Sequence, residues 1–336
     1  MTPARLQEIL GSAGSKRILV IGDLMLDEFV WGKVGRISPE APVPVVEVTN
    51  ESSYPGGAAN VARNLREFVD RASVIGLLGT DRGGEQLRRL LEDDAIDTAG
   101  AIEDATFPTI VKTRIIARQQ QVVRVDREQI RTPTAEQVQR VTASVREQLP
   151  QLDALIFEDY GKGFLSGELV AEISALAHEA GKIVTADPNP HHAVPWAKVT
   201  AVKPNRSEAF LAAGIPWSDP VEPVPADQPL LRVGAALLEK WDTRHLLITL
   251  GEQGMMLFDR TNAPHHIPTK ARQVFDVSGA GDTAIALFTL ALTCGANAVE
   301  AAEIANHASA VVVGKLGTAT VTPEELLRSF HEDGAA

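Results

Sequence analysis

The sequence predicts an α/β protein with a mostly parallel central sheet and helices on both faces. Two observations carry that expectation. From about residue 70, short apolar runs alternate with helix-like stretches. Strands are expected at Ser73-Val-Ile-Gly-Leu-Leu78, Leu152–Phe157, Lys182–Ala186, Thr200–Val202 and His245–Leu250, with helices at 83–93 and 166–180. Near the N-terminus, Arg17-Ile-Leu-Val-Ile-Gly22 is a continuous apolar run closed by Gly and Asp, as suits a strand buried on both faces.

The chain has 336 residues, 44% of them hydrophobic, and a net charge of −12. Such a length allows a sizeable core in one large domain or two smaller ones. Strong acidity without a Lys/Arg run argues against nucleic acid or an anionic membrane surface as a partner. The single cysteine, Cys294, excludes an internal disulfide and reads as a buried, inert thiol. No uninterrupted apolar stretch reaches membrane-spanning length, and the N-terminus lacks an apolar signal core; a cytoplasmic location is expected.

Taken in order, Asp23-Leu-Met-Leu-Asp27 is expected as a loop at the C-terminal end of the first strand, where open α/β sheets place ligands. Asp27 is there a candidate for hydrogen-bonding ligand hydroxyls, or a solvated turn residue. Phe29-Val-Trp-Gly, Val43–Thr49, Thr109–Ile116 and Gln121–Asp126 are β-rich pieces that can pair into a small inserted sheet, a lid or a dimerisation surface. Pro55-Gly-Gly-Ala-Ala-Asn60 opens an amphipathic helix with small residues, which allows close approach of a ligand or plain helix packing. Asn60 can both donate to and accept from sugar hydroxyls. The five prolines of 214–230 mark a surface loop without identifiable chemistry. The His-His pairs at 191–192 and 265–266 lack a carboxylate or thiol at ligand spacing and read as structural.

The stretch with most chemistry is Asp276-Val-Ser-Gly-Ala-Gly-Asp282, running directly into the apolar Thr283–Leu292. A small-residue turn at a helix start presents unpartnered backbone N–H groups to an anion. Asp282 beside it can cap those amides or accept a proton from a hydroxyl held next to a phosphate.

The early Gly-Gly-Ala-Ala-Asn and the late Asp-x-Ser-Gly-Ala-Gly-Asp lie roughly 220 residues apart. Together they resemble the ribokinase-like (PfkB) family of carbohydrate kinases. Lys203-Pro-Asn-Arg-Ser-Glu208 is similar to the family's Asn-x-x-Glu element, and Thr249-Leu-Gly-Glu-Gln-Gly254 to its nucleotide-binding strand and turn. The resemblance covers nearly the whole chain. It implies a single three-layer α/β kinase domain over 1–336, with a β-lid near 28–50 and 108–126. Gly22–Val45, Glu158-Asp-Tyr-Gly-Lys-Gly163 and the Asp276–Thr283 stretch further resemble the bacterial heptose kinases of lipopolysaccharide synthesis. Those enzymes phosphorylate the anomeric hydroxyl of D-glycero-β-D-manno-heptose 7-phosphate. Many carry a C-terminal adenylyltransferase; with no His-x-Gly-His-type motif before Ala336, a stand-alone kinase is expected here.

The resemblance implies ATP and Mg²⁺ as cofactors and a set of roles. Asp282 would be the base, with Gly279, Ala280 and Gly281 offering backbone N–H groups to the transferring phosphoryl. Asn205 and Glu208 would act through water on Mg²⁺ and the triphosphate, or form a helix cap and its partner, or both. Thr249 and Gly251 would lie beside the nucleotide phosphates or ribose, and Asn306 near the adenine. Asp276 and Ser278 occupy positions that hold a monovalent cation such as K⁺ in some relatives, although Val277 replaces the commoner Thr. Asp27, Gly57 and Asn60 match acceptor positions, and Met25 replaces the polar residue typical of ribose kinases. An acceptor phosphate calls for a cation, with Lys162 favoured over Lys112, Arg114, Arg118 and Arg124. A homodimer through the lid is expected from its apolar content. Rival readings are a kinase for another sugar and a non-catalytic sensor on the same fold.

Overall fold

The chain builds its architecture from fourteen strands and ten helices among the described residues, which a computed structural model gives as 1–118, 120–192, 194–271 and 274–334. The first half comprises α1 (Pro3–Leu10), β1 (Arg17–Gly22), β2 (Leu24–Ile37), β3 (Pro44–Gly57), α2 (Ala58–Arg66), β4 (Arg71–Ile75) and β5 (Leu77–Gly79). It continues with α3 (Arg82–Asp93), β6 (Ile102–Asp104), β7 (Ile110–Ala117), β8 (Gln120–Arg127) and α4 (Ala135–Gln148). Then come β9 (Ala154–Glu158), α5 (Gly167–Glu179), β10 (Ile183–Asp187), β11 (Ala201–Val202), α6 (Arg206–Ala213) and α7 (Gln228–Lys240). The last part holds β12 (His245–Thr249), β13 (Met255–Asp259), β14 (His265–Ile267), α8 (Ala280–Thr293), α9 (Ala298–Val313) and α10 (Pro323–Gly334).

The eight-stranded sheet runs β14-β13-β12-β11-β10-β9-β1-β4. It is parallel from β4 to β12 and antiparallel at the β12–β13–β14 edge. Alternate residues of β1 enter different cores: Ile18 and Val20 pack with α1, α2, α8 and α9, while Leu19 and Ile21 pack with α4, α5 and α7. That two-sided burial is why the run is apolar throughout rather than alternating. Helix α8 is buried along its length from Asp282 to Ala291. It sits between α2, α9 and the sheet, which accounts for its lack of a polar face.

The four β-rich pieces of 28–50 and 108–126 lie in one small sheet, ordered β3-β2-β7-β8. Strands β2 and β7 pair in parallel, and the outer pairs are antiparallel. Side chains alternate across this sheet. Asp27 stands opposite Lys112, and Arg114 opposite Arg124, on one face; Val30, Ile115, Val123 and Val125 take the other.

Three expectations require correction. Residues 24–27 are not loop but the start of β2, pairing Leu24–Asp27 with Gly57–Tyr54. Asp23 alone separates β1 from β2, because the small sheet begins where the large one ends. The strand expected at 73–78 divides at Gly76 into β4 and β5, and β5 belongs to a separate two-stranded sheet with β6. The segment 214–230 is not merely a surface loop. Val224 is buried, and Asp227 caps α7 by accepting the Leu230 N–H at 3.0 Å, with Pro229 in the helix's first turn where a proline costs no hydrogen bond. Among the described residues no helix is long and apolar enough to cross a membrane.

Candidate active site

The parallel strands end in polar residues at one edge of the sheet: Glu158 closes β9, Asp187 closes β10, Lys203 follows β11 and Thr249 closes β12. Glu158 and Asp187 are register partners and stand side by side. Helix α8 starts over this edge. Its first residue follows Gly279, whose φ of 78° is left-handed; a Cβ there would meet Asn60 Nδ2 at 2.8 Å. Both constraints require glycine.

Asp282 lies in the first turn of α8 and is 4% exposed. It is held by two neutral donors rather than capping the helix. Asn60 Nδ2 donates to Oδ2 at 2.6 Å, and the Tyr160 hydroxyl donates to Oδ1 at 2.8 Å. Burial pushes Asp282 up to about 6, although both donors and the Lys203 charge oppose the shift. A carboxylate there is ionised at neutral pH yet remains basic enough to accept a hydroxyl proton.

Lys203 Nζ bonds Asp187 Oδ2 at 2.7 Å and lies 3.5 Å from the point where a Cβ would stand on Gly281. A buried ammonium therefore adjoins the amides at the start of α8. Burial lowers the Lys203 pKa, but Asp187, Glu158 and Glu208 outweigh it and leave it above its ordinary value. Burial raises Asp187 to about 7, and burial followed by the Asp187 charge pushes Glu158 well above the carboxylate range. Glu158 Oε2 is buried without a hydrogen-bond partner.

A cavity of about 670 Å³ opens over this edge. Its lining includes Asn205, Glu208, Thr249, Gly251, Gly279, Gly281 and Asp282, together with Glu158, Asp187 and Lys203. Asn205 and Glu208 form a reciprocal cap on α6: Asn205 Oδ1 accepts the Glu208 N–H at 3.0 Å, and Glu208 Oε2 accepts the Asn205 N–H at 2.7 Å. Asn205 also bridges to Thr249, which brings the two sequence elements together. Trp217 lies on the cavity rim, 55% exposed and packed against Phe210 and the Arg206 guanidinium.

The other expected site residues are not among those lining that cavity. Asp27 is buried, and its Oδ1 accepts from Arg114 Nη1 at 2.5 Å. Gly57 has φ 57° and leads directly into α2. Lys162 Nζ pairs with Glu128 at 2.8 Å, and Lys112 approaches the same carboxylate at 3.5 Å. Asn306 lies on α9, where Nδ2 donates to the Pro268 carbonyl at 2.7 Å, and it does not border the cavity. Both oxygens of Asp276 accept backbone N–H groups, from Ser278 at 2.9 Å and Gly317 at 3.2 Å. His192, read as structural, is joined to Asp159 at 3.0 Å, a pairing between residues distant in sequence. Cys294 is half-buried and free.

Among the described residues no three His, Cys, Asp or Glu side chains converge as a complete metal site. The donor set nevertheless fits Mg²⁺ held partly by water and phosphate: hard carboxylate oxygens share the cavity, and one of them, on Glu158, lacks a partner.

Comparison with known proteins gives this geometry its context. Residues 15–325 match the pfkB family carbohydrate kinase description. The chain belongs to the PfkB family of carbohydrate kinases. It is therefore a phosphotransferase with an alcohol group as acceptor, and the sensor reading falls. This kinase is 42% identical over 322 residues to the bifunctional protein HldE of Desulfatibacillum aliphaticivorans, covering 96% of its own chain and 64% of that relative. Its fold is that of the phosphofructokinase-2 from Escherichia coli in complex with potassium, at a TM-score of 0.76 and 18% identity over 94% of this chain and 98% of that one. The Arabidopsis thaliana ribokinase complexed with ribose and ATP gives a TM-score of 0.71 at 18% identity, covering 94% and 98%.

Sequence reasoning missed Tyr160, Glu158, Asp187 and Lys203 as site residues. Glu158, Tyr160 and Lys203 lie inside motifs singled out in the sequence, and a charged residue at the end of an apolar strand is the available signal. Their roles depend on which strand ends are neighbours, which spacing along the chain does not reveal.

Proposed function

We propose that this kinase transfers the γ-phosphoryl group of ATP to the anomeric hydroxyl of D-glycero-β-D-manno-heptose 7-phosphate. The observation that carries the chemistry is Asp282, buried, doubly hydrogen-bonded and set in the first turn of α8 beside the cavity. Asp282 takes the proton of the acceptor hydroxyl as the oxygen attacks phosphorus. The amides of Gly279 and Gly281 and the Lys203 ammonium compensate charge on the equatorial phosphoryl oxygens, joined by the Ala280 amide once it gives up its 3.3 Å bond to the Val277 carbonyl. Glu208 and the strand-end carboxylates would hold Mg²⁺, which would offset the negative charge of the triphosphate. Asn205, Thr249 and Gly251, which line the same cavity, orient the nucleotide, and Asn306, bonded to the Pro268 carbonyl outside it, is proposed to stand near the adenine.

The heptose reading is supported by the resemblance at 22–45 and by the HldE relative. The acceptor phosphate is assigned to the charged face of the small sheet and its neighbouring loop, where Lys112, Arg114, Arg124 and Lys162 gather and would have to exchange their pairings with Asp27, Asp126 and Glu128 for the phosphate. Gly57 and Asn60 complete the acceptor side. A K⁺ ion beside Asp276 and Ser278 and a homodimer through the outer face of the small sheet are further parts of this proposal.

The test is coupled ADP release with Mg²⁺-ATP across heptose 7-phosphate, fructose 6-phosphate, fructose 1-phosphate, ribose and adenosine. Selective turnover of the heptose phosphate is expected. Preferred turnover of another acceptor would retain the Asp282 mechanism and discard the heptose assignment.

A further inference from the structure

We infer that Tyr160 is a positioning residue for Asp282, placed by a loop that the buried Asp23 carboxylate pins to the end of the sheet. The inference rests on the reading of Asp282 as the base.

Asp23 stands between β1 and β2, at the junction of the two sheets, and is buried. Its Oδ2 accepts the Tyr160 N–H at 2.9 Å and the Lys162 N–H at 3.0 Å, and its Oδ1 accepts the Phe164 N–H at 3.4 Å. One side chain thus satisfies alternate amides of the loop after β9. The adjoining Asp159 N–H donates to the Asp187 carbonyl at 3.0 Å, and Asp159 Oδ1 accepts the Gly161 N–H at 2.8 Å. Fixed at both these points, the loop has little freedom, and Tyr160 reaches Asp282 from it.

The second donor, Asn60, comes from α2 on another side of the carboxylate. Two donors from separate elements oppose rotation about the Cβ–Cγ bond of Asp282. Each oxygen retains acceptor capacity for a substrate hydroxyl. The charged and titratable groups facing Asp282 are Lys203, Glu158, Asp187 and Asp27, so a neutral donor adds orientation without a further charge. Burial and the Asp282 charge hold the Tyr160 phenol well above its ordinary value, which keeps it a donor.

The loop also touches the small sheet's exit. Lys162 pairs with Glu128 just beyond β8, and the Arg131 N–H donates to the Lys162 carbonyl at 2.9 Å.

The experiment compares wild type, Tyr160→Phe, Asp23→Asn and Asp282→Asn, with folding checked by thermal melting. Tyr160→Phe is expected to lower kcat about tenfold or more, with KM for ATP and acceptor within about twofold. Its acid limb should move to higher pH, because a donor favouring ionised Asp282 is gone. Carboxyl ¹³C titration of Asp282, assigned through Asp282→Asn, should move the same way without any acceptor present. Asp23→Asn should shift that titration in the same direction while retaining the phenol. An unmoved titration in Tyr160→Phe overturns the inference whatever the rate does. A raised acceptor KM with a fixed acid limb also overturns it, making the phenol a substrate contact. Full activity in Asp282→Asn would instead overturn the base assignment, a separate failure.

Discussion

At the scale of single residues, Asp282 carries two opposite demands. As a base it must be ionised, and as a buried carboxylate it resists ionisation. Its value of about 6 in the free enzyme sets the acid limb of kcat/KM near that pH. Asp282→Asn is expected to lower kcat on the order of 10²–10⁴-fold while ATP still binds. The same substitution should raise the melting temperature at neutral pH. Because the folded value exceeds the ordinary 3.8, the folded form holds the proton more tightly. That stabilisation is complete below about pH 4 and lost as pH rises through about 6, so the ionised carboxylate is a burden at pH 7. Replacing it should gain on the order of 1–3 kcal/mol, measured by denaturant melts at pH 5 and pH 8, with the gain larger at pH 8. Lys203→Met should act in the opposite sense. It strands Asp187 and Glu158 without their cation and should cost roughly 3 kcal/mol along with a fall in kcat of about 10²-fold. A Lys203→Met enzyme as stable as wild type would show that the buried pair contributes nothing.

At the scale of elements, the entry to α8 concentrates the constraints. Gly279→Ala should cost about 1 kcal/mol or more for its left-handed backbone. Its Cβ would also press on Asn60 Nδ2, 2.8 Å away, loosening one donor from Asp282. A fall in both melting temperature and kcat is expected; an unchanged kcat would mean that Asn60 can move without consequence. This turn was legible in the sequence because small residues before an apolar run have few other uses. The central strands were legible for the same reason, since Arg17–Gly22 and His245–Thr249 are apolar on both faces. Residues 24–27 misled because a strand that passes straight from one sheet into the next leaves no turn residues to mark it. Tyr160 was not legible in its role: its partner is 122 positions away, and nothing local announces that contact. The segment 214–230 was misread because proline marks helix starts as well as loops.

At the scale of the molecule, the small sheet presents two different faces. One carries Asp27, Lys112, Arg114 and Arg124; the other carries Val123 and Val125, both exposed. Such an apolar face on an outer strand is the surface proposed for the dimer. Light scattering should give a dimer for wild type and a monomer for Val123→Lys combined with Val125→Lys; monomeric wild-type protein at micromolar concentration would remove the dimer from the proposal. The tryptophans divide as unevenly as the faces. Trp196 and Trp241 are buried, Trp31 belongs to the small sheet, and Trp217 alone of the four borders the cavity over the strand ends. Its indole is a native optical probe at the cavity rim. Its emission should change as nucleotide enters, and most of that change should vanish in Trp217→Phe, so that occupancy can be followed without a label or an acceptor.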